Sequence, residues 1–494
     1  MFDALGAFLY FRAVKQEDKY QVVIGLEVHA QLLTKSKLFC TDSTAFGAEP
    51  NTQVSPISLA HPGTLPKMNQ KAIALAVRLG LAMHCEIEQH NYFALKNYFY
   101  PDLPKGYQVT QHTAPICKGG HLNIKAGNES RNIKLNRIHL EEDAGKSIHD
   151  ADENFTCIDL NRAGVPLLEI VTEPNIHSAE DAFTFLTELR KLVRWLGVCD
   201  GNMEEGSMRC DANISIRLKG ETELGKRVEV KNLNSIRNVK KAIEIETARL
   251  TGIAEQGGAI RQETRSFDAD KNLTFSLRSK EDADDYRYFP EPDLPPFFIS
   301  DTYIQEIKVA LPALPAQLKE KYMVEFSLTE YDADTICNDK DDILFFEGLI
   351  QQTTYYKAAA NWLLGPLKFY CNENNISIAS FPLQLSTIAE LISFTESGKV
   401  NFNNASTKIL HSLIADPAKT VSETALHLNL LQESDHGAVE GWIDVVFATM
   451  PDKIKEYKTG KKGLIGMFAG EVKKLSKGKA DMQLVNKLLA EKLN

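Results

Sequence analysis

Glu27 and His29 stand two residues apart in Ile24-Gly25-Leu26-Glu27-Val28-His29. On a strand that spacing puts both side chains on one face, with their Cα atoms about 6.5–7 Å apart. An oxygen donor and a nitrogen donor so placed can converge on one cation, although solvated strand faces carry such pairs as ordinary polarity. Further acids come in clusters, Glu141-Glu142-Asp143 and Glu204-Glu205, with Asp211 shortly after the second. Adjacent carboxylates repel one another unless water, cations or hydrogen bonds compensate. Alternation with Ile138 and Leu140 groups Glu141 rather than Glu142 with the polar face, which leaves the choice of ligand open. Glu169 interrupts Val165-Pro166-Leu167-Leu168-Glu169-Ile170-Val171, a run whose neighbours suggest burial on both faces. An unpartnered buried carboxylate costs several kcal/mol, so Glu169 calls for a metal, a basic side chain or a structural hydrogen-bond network.

Basic and aromatic residues supply the complementary chemistry. Lys96-Asn97-Tyr98-Phe99-Tyr100-Pro101-Asp102 combines a cation, an amide and three aromatics, and Arg162, Arg209 and Lys231 lie beside other polar motifs. Such cations neutralise phosphate oxygens; pairing with the acids just named is their plain structural role. No G-x-x-x-x-G-K-[ST] string occurs, so an ATP site here needs a carboxylate–Mg²⁺ cage with dispersed basic groups.

These residues must be positioned by strands and a covering helix. Residues 22–33 alternate strictly, with Val22, Ile24, Leu26, Val28, Ala30 and Leu32 opposing Glu27, His29 and Gln31, which predicts a strand. Residues 211–218 repeat the pattern, with Asp211 and Asn213 on the polar side. Between them, Ser178-x-x-Asp181 resembles a capping box, and Ala182, Phe185, Leu186, Leu189, Leu192, Val193 and Leu196 form one stripe ending at Gly197, so a helix there should cover a sheet. Phe289-Pro290-Glu291-Pro292-Asp293-Leu294-Pro295-Pro296 cannot be helix and marks the exit from a first domain of about 290 residues. Helical segments follow from Leu311, with a looser boundary near Ala415 to Ser422.

At 494 residues the chain exceeds one hydrophobic core, which suggests two to four domains. Its composition, 43% hydrophobic and 25% charged, and the lack of an apolar run of about 18 residues predict a soluble protein with no membrane role. Eight cysteines without C-x-x-C spacing fit reduced thiols and a cytoplasmic location. Residues 1–19 lack the basic opening of a signal peptide and receive no role. Net charge is −10, yet Pro451 to Asn494 holds eleven Lys against five acids. A basic tail on an acidic body suits a polyanionic partner, or is simply a solvated helix face.

Several long strings resemble the B subunits of the glutamyl/aspartyl-tRNA amidotransferases: residues 24–29, Phe46-Gly47-Ala48-Glu49-Pro50-Asn51-Thr52, Lys96 to Asp102, Leu140 to Lys146, and Met203 to Ser207. Asp159-Leu160-Asn161-Arg162, Asp211 to Ser215, Lys231 to Ser235 and Asp285-Tyr286-Arg287-Tyr288-Phe289-Pro290 extend the similarity, and it continues more weakly to the C-terminus. The resemblance implies an α+β fold. A cradle-shaped catalytic domain of antiparallel sheet, of the glutamine synthetase-like kinase type, would span residues 20–296. A helical domain over 297–420 and a basic helical tail over 421–494 that contacts tRNA would follow. It further implies ATP and Mg²⁺ as cofactors, phosphorylation of the side-chain carboxylate of Glu or Asp misacylated on tRNA(Gln) or tRNA(Asn), and amidation by ammonia. The amidase, or A, subunit of the same complex would release that ammonia from glutamine, and a small C subunit would brace the pair. Phosphate is a good leaving group where hydroxide-like oxygen is a poor one.

Carried over by position, the resemblance implies Glu27, His29, Glu142, Glu169 and Asp211 as metal ligands. Lys96 joins the catalytic set, and Arg162, Glu204, Glu205 and Asn213 become nucleotide-pocket residues. Many members of the family carry zinc-binding cysteines near residues 40–58, but Cys40 is followed here by Thr41-Asp42, and the later position reads Ser55-Pro56-Ile57-Ser58. One thiolate cannot close a structural zinc site, so no zinc is expected. Two other classes compete: a free-standing carboxylate–amine ligase acting on a small metabolite, and a non-catalytic tRNA-binding scaffold. The full acid and histidine set argues against the scaffold.

Overall fold

A computed structural model describes residues 19–494 except 128, 150, 280–285, 433–435, 477–478 and 494. The N-terminal extension up to residue 18 lies outside the described residues, as do Asp285, Lys477 and Gly478 of the strings above. The chain forms two compact units, residues 1–314 and 315–494.

The first unit is built on a 13-stranded sheet whose centre is β1 (Tyr20–Gln31). The strands used below are β2 (Ala94–Asn97), β3 (Tyr107–Thr110), β4 (Glu129–Glu142), β5 (Pro166–Thr172), β6 (Met208–Leu218), β7 (Val228–Lys231), β8 (Glu263–Asp268) and β9 (Leu273–Ser279). They lie in the order β9-β8-β7-β6-β1-β5-β4-β3-β2, with Phe289–Pro290 beyond β2. Along this path every pairing is antiparallel except β7 with β8, which is parallel. The strand expected over residues 22–33 starts and ends two residues earlier. Beyond Gln31 the backbone leaves the ladder, as Leu33 N–H donates to Val198 O.

The even-numbered side chains of β1 (Ile24, Leu26, Val28 and Ala30) are buried in the main core. Helix α1 (Ala179–Trp195) contributes Ala182, Phe185, Leu186 and Leu189 to that core, and α2 (Ile236–Glu255) contributes Val239, Ala242 and Ile243. Ser178 caps α1 by accepting from Asp181 N–H at 3.0 Å, which satisfies one of the helix's orphan donors. One carboxylate lies inside the packing. Glu246 of α2 is fully buried and receives Arg249 Nη2 at 2.8 Å, with Arg265 Nε at 3.2 Å and a hydrogen bond from Thr274 Oγ1. Two guanidinium groups and a hydroxyl meet the demand that a buried charge be paired.

The second unit is helical. It opens with Pro315–Val324, Glu330–Cys337, Lys340–Ile350 and Tyr356–Trp362, and later helices include Leu385–Glu396 and Val421–His427. A π-helical turn at Leu363–Leu367 contains Pro366, which lacks the N–H a regular helix would use. Four C-terminal helices, His436–Thr449, Pro451–Lys458, Leu464–Leu475 and Met482–Leu493, enclose a separate core around Val439, Ile443, Phe468, Val485 and Leu489. Among the described residues, no helix is long and apolar enough to cross a membrane. The large mixed sheet followed by helices makes the chain a mixed α/β protein.

Candidate active site

With the even side chains of β1 committed to the core, the odd ones line the opposite face, and the registers of β4, β5, β6 and β7 bring their polar residues beside them. Glu27 pairs across the ladder with Asp211 on one side and Val171 on the other; His29 pairs with Arg209 and Glu169. Glu169 in turn faces His139 of β4, and Glu141 faces Thr110 of β3. Five strands far apart in sequence thus deliver their polar residues to one surface.

Among the described residues, His29, Glu141 and Glu169 form the one group whose donor atoms lie close enough together to share a metal ion, all within 4.8 Å of one another. His29 Nε2 lies 3.3 Å from Glu169 Oε2 and 3.8 Å from Glu141 Oε1. One imidazole and two carboxylates are hard and borderline donors, a set suited to a divalent cation such as Mg²⁺ or Mn²⁺. Burial alone would depress the His29 pKa, but the hydrogen bond and charge of Glu169, with Glu141, raise it. Glu169 is itself held well below the usual carboxylate range by His139 and His29, despite its burial. Beside this group, Glu27 accepts from Asn213 Nδ2 at 2.8 Å, and Lys231 Nζ lies 2.6 Å from Asp211 and 2.8 Å from Glu229. Burial, followed by the charges of Glu169, Asp211 and Glu229, pushes the Glu27 pKa up.

Glu142, implied by resemblance as a ligand, is placed elsewhere. As the neighbour of Glu141 on a strand it points to the other face, where Lys105 pairs with it and Val109 N–H donates to it at 3.0 Å. Glu141 takes the position beside His29, as the alternation had grouped it. Lys96 is half-buried, with its ammonium 4.7 Å from the Tyr286 ring and 5.5 Å from that of Tyr98. Burial would lower its pKa, but Glu141, Tyr288, Glu169 and Tyr286 together raise it above the ordinary lysine value. Arg162, Glu204 and Glu205 line a cavity of 1090 Å³ that also includes Gln31, Arg209 and Asp211. Arg162 is already engaged, donating to Ala144 O at 2.9 Å and Gly145 O at 2.6 Å. Asn213 lines a different cavity, of 720 Å³, together with Glu27.

His139 went unremarked in the sequence. It is 5% exposed, with Nε2 at 3.4 Å from Glu141 Oε2 and 3.5 Å from Glu169 Oε2. In the neutral ring Arg137 Nε donates to its Nδ1 at 3.4 Å and Nε2 carries the hydrogen toward the carboxylates, whereas protonation makes both ring nitrogens donors and gives up the Arg137 bond. Although burial opposes it, Glu169 and Glu141 push the His139 pKa up to about 9. The signal was present, since His139-x-Glu141 repeats the spacing of Glu27-x-His29. Asp143 was grouped only with its acidic neighbours. It is 3% exposed and receives Arg209 at 2.7 Å and Gln31 Nε2 at 2.8 Å, and the two arginines beside it hold its carboxyl below the usual range against burial.

The arrangement offers a cation cluster between two cavities on one sheet face, a lysine held against aromatic rings, and paired arginines behind. Comparison with known proteins places this architecture. Residues 22–305 match the GatB/GatE catalytic domain, and residues 344–493 match the GatB domain. A protein of Nitratidesulfovibrio vulgaris, named as the B subunit of an aspartyl/glutamyl-tRNA(Asn/Gln) amidotransferase, is 46% identical over 476 residues, 96% of this chain and 99% of its own length. The protein of the same name from Trichlorobacter lovleyi is 47% identical over 478 residues, with the same two coverages, and that from Oleidesulfovibrio alaskensis is 46% identical over 478. Agreement of this extent, running through the catalytic domain and the C-terminal helices alike, shows that the chain belongs to the GatB family.

Proposed function

We propose that this chain is the carboxylate-activating component of a tRNA-dependent amidotransferase, converting Glu on tRNA(Gln), Asp on tRNA(Asn), or both, to the amide. A side-chain carboxylate oxygen of the misacylated residue attacks the γ-phosphorus of ATP. ADP departs, and ammonia then displaces phosphate from the acyl phosphate. The observation that supports this reading is the convergence of His29, Glu141 and Glu169 beside Glu27 and Asp211 on one strand face. When bound there, Mg²⁺ neutralises phosphate oxygens and orients the γ-phosphoryl group.

The protein's own groups do the rest. His29, Glu141 and Glu169 hold the cation, with Glu27 and Asp211 supplying further oxygens directly or through water. Lys96, steadied by Tyr98 and Tyr286, neutralises charge on the transferring phosphoryl group. Asp143 keeps Arg209 and Arg162 in place behind the large cavity. The catalytic unit is a cradle of the glutamine synthetase-like kinase type, and the basic helices of residues 421–494 bind the tRNA body through phosphates. The amidase partner delivers ammonia from glutamine, the small third protein braces the pair, and the complex is cytoplasmic.

The deciding experiment measures γ-phosphate transfer from ATP by the complex of this chain with its amidase and small partners, in the presence of glutamine. Misacylated Glu-tRNA, Asp-tRNA, uncharged tRNA and free amino acid are compared. Turnover with a misacylated tRNA alone supports the reading and identifies the substrate. Turnover without tRNA favours a small-metabolite ligase, and tRNA binding without turnover favours a scaffold.

A further inference from the structure

Among the described residues, 32–69 run from β1 to the helix Gln70–Ala82 without forming a helix or a strand. A segment of that length with no regular element is uncommon in a compact unit, and this one walls two cavities. Thr44, Phe46 and Gln53 line the 1090 Å³ cavity, whereas Phe39, Ile57 and His61 line a separate cavity of 210 Å³ that includes Glu142. Cross-links must therefore fix its shape.

The tip of the segment is tied to residues 158–161. Asn51 N–H donates to Asp159 Oδ1 at 3.1 Å, Asn51 Nδ2 to Ile158 O at 2.9 Å, and Gln53 N–H to Asn161 Oδ1 at 2.8 Å. Below the tip the two limbs meet at Asp42. Ser36 and Ser43 form an isolated bridge and Lys37 N–H donates to Asp42 O at 2.9 Å, which folds residues 36–43 back on themselves. From the other limb Ser58 Oγ, 7% exposed, donates to Asp42 Oδ2 at 2.6 Å and accepts from Ser55 N–H at 3.0 Å. The Cys40 thiol donates to the same carboxylate. Burial opposes the charge, yet the hydrogen bonds from Ser58 and Cys40 hold the Asp42 carboxyl below the usual range. Ser55 Oγ is buried beside them without a full hydrogen bond and adds a weaker pull.

Cys40, Ser55 and Ser58 stand where the resemblance to the family places zinc-binding cysteines, and the structure gathers all three at Asp42. The donor set does not fit zinc. A structural zinc site takes four thiolates or imidazoles, whereas the two serines offer hydroxyls that keep their hydrogens. Burial pushes the Cys40 thiol up, so it too stays protonated. Protonated groups around one anion are the inverse of a metal site, where lone pairs surround one cation.

We propose that Asp42 is a carboxylate clasp standing in for the metal: its fixed anion, hydrogen-bonded by Cys40 and Ser58, joins the two limbs of the segment and sets the walls of both cavities without zinc. Ionisation gives the clasp its strength, because hydrogen bonds to a charged acceptor are about twice as strong as neutral ones.

The test compares full-length wild type with Asp42→Ala, Ser58→Ala and the double variant by hydrogen exchange of the folded protein. Amides of residues 37–61 should exchange about 10- to 100-fold faster in either single variant. The double variant should match Asp42→Ala, because both changes remove the same bond. Wild type should retain no zinc after passage over a chelating resin, and added Zn²⁺ should leave its exchange unchanged. The variant Asp42→Cys/Ser55→Cys/Ser58→Cys, which gives Cys40 three thiol neighbours, should bind one Co²⁺ with the visible absorption of tetrahedral cobalt thiolate. Zinc held by wild type at one ion per chain, or unaltered exchange in Asp42→Ala, overturns the clasp. Additive effects of the two single variants overturn the shared bond, and octahedral or absent cobalt absorption in the folded triple variant overturns the convergence of the four positions.

Discussion

Glu141 and Glu142 are consecutive, yet they serve opposite faces of one sheet. Glu141 lies 3.8 Å from His29 Nε2, while Glu142 pairs with Lys105 and accepts from the Val109 backbone. Both are almost fully buried, at 3% and 2% exposure, so neither is a spare surface acid. The side-chain period of two decides between them, and no other property of the pair does.

This separation predicts a split in metal binding. Glu141→Gln removes a charged oxygen donor from the cation group and should weaken Mn²⁺ binding, read by electron paramagnetic resonance of the full-length chain, by about 10- to 100-fold. Glu142→Gln should leave Mn²⁺ affinity within about twofold while destabilising the fold, because it strands the Lys105 ammonium. Equal losses of affinity in the two variants would contradict the face assignment.

His139 gives the metal-free protein a pH signature. Its pKa, raised to about 9 by Glu169 and Glu141 against burial, stands above that of an unfolded histidine. Its protonation therefore contributes stability fully below about pH 6.5, and the contribution is lost as pH rises through about 9. Denaturant unfolding of metal-free protein between about pH 6 and pH 10 should show wild type losing up to about 2–3 kcal/mol more than His139→Gln. Parallel pH profiles for the two proteins would count against this pairing.

Glu246 predicts a purely structural effect. It is fully buried against Arg249 and Arg265, so Glu246→Leu takes one of two shared carboxylates from both guanidinium groups and leaves them paired with Glu263. A loss of about 1–3 kcal/mol is expected in denaturant unfolding, from hydrogen-bond donors that lose a buried acceptor, with Mn²⁺ affinity of the folded protein unchanged. A variant as stable as wild type would mean that Glu263 alone suffices for both arginines.

The tail lysines make a prediction about salt. Lys461 and Lys462 are exposed in the turn between Pro451–Lys458 and Leu464–Leu475, and Lys473 and Lys474 are exposed on the latter helix. Reversing them to Glu should weaken tRNA binding. It should also flatten the dependence of log affinity on log salt by about 0.7–0.9 for each phosphate no longer neutralised. Weakened affinity with an unchanged salt slope would show that the loss is not electrostatic.

Much of the site was legible from side-chain alternation alone. Glu27, His29, Asp211 and Asn213 were grouped by period two on their own strands, and the buried run around Glu169 flagged it as an acid needing partners. Cross-strand register was not legible, because periodicity within a strand says nothing about which strand lies beside it. His139 and Glu229 were therefore missed, although each sits one strand from a residue that was found. Glu142 entered through resemblance to the family, where adjacent acids in the same string are hard to tell apart by position. The apolar stripe of residues 182–196 became α1 over Ala179–Trp195 because its 3.6-residue period is local, unlike the pairings of the sheet.

The central register has a consequence for how this protein comes into being. His29 emerges from the ribosome early, but its neighbours Glu141, Glu169 and Arg209 arrive only after more than a hundred further residues have been made. Such non-local pairings form late, because loop closure must be met before the contacts reward it. During synthesis, a chain halted before β6 would hold the acids and histidines but lack the strand that closes β1 from its other side. Affinity for a divalent cation at His29, Glu141 and Glu169 would thus report that β1, β4 and β5 have come together.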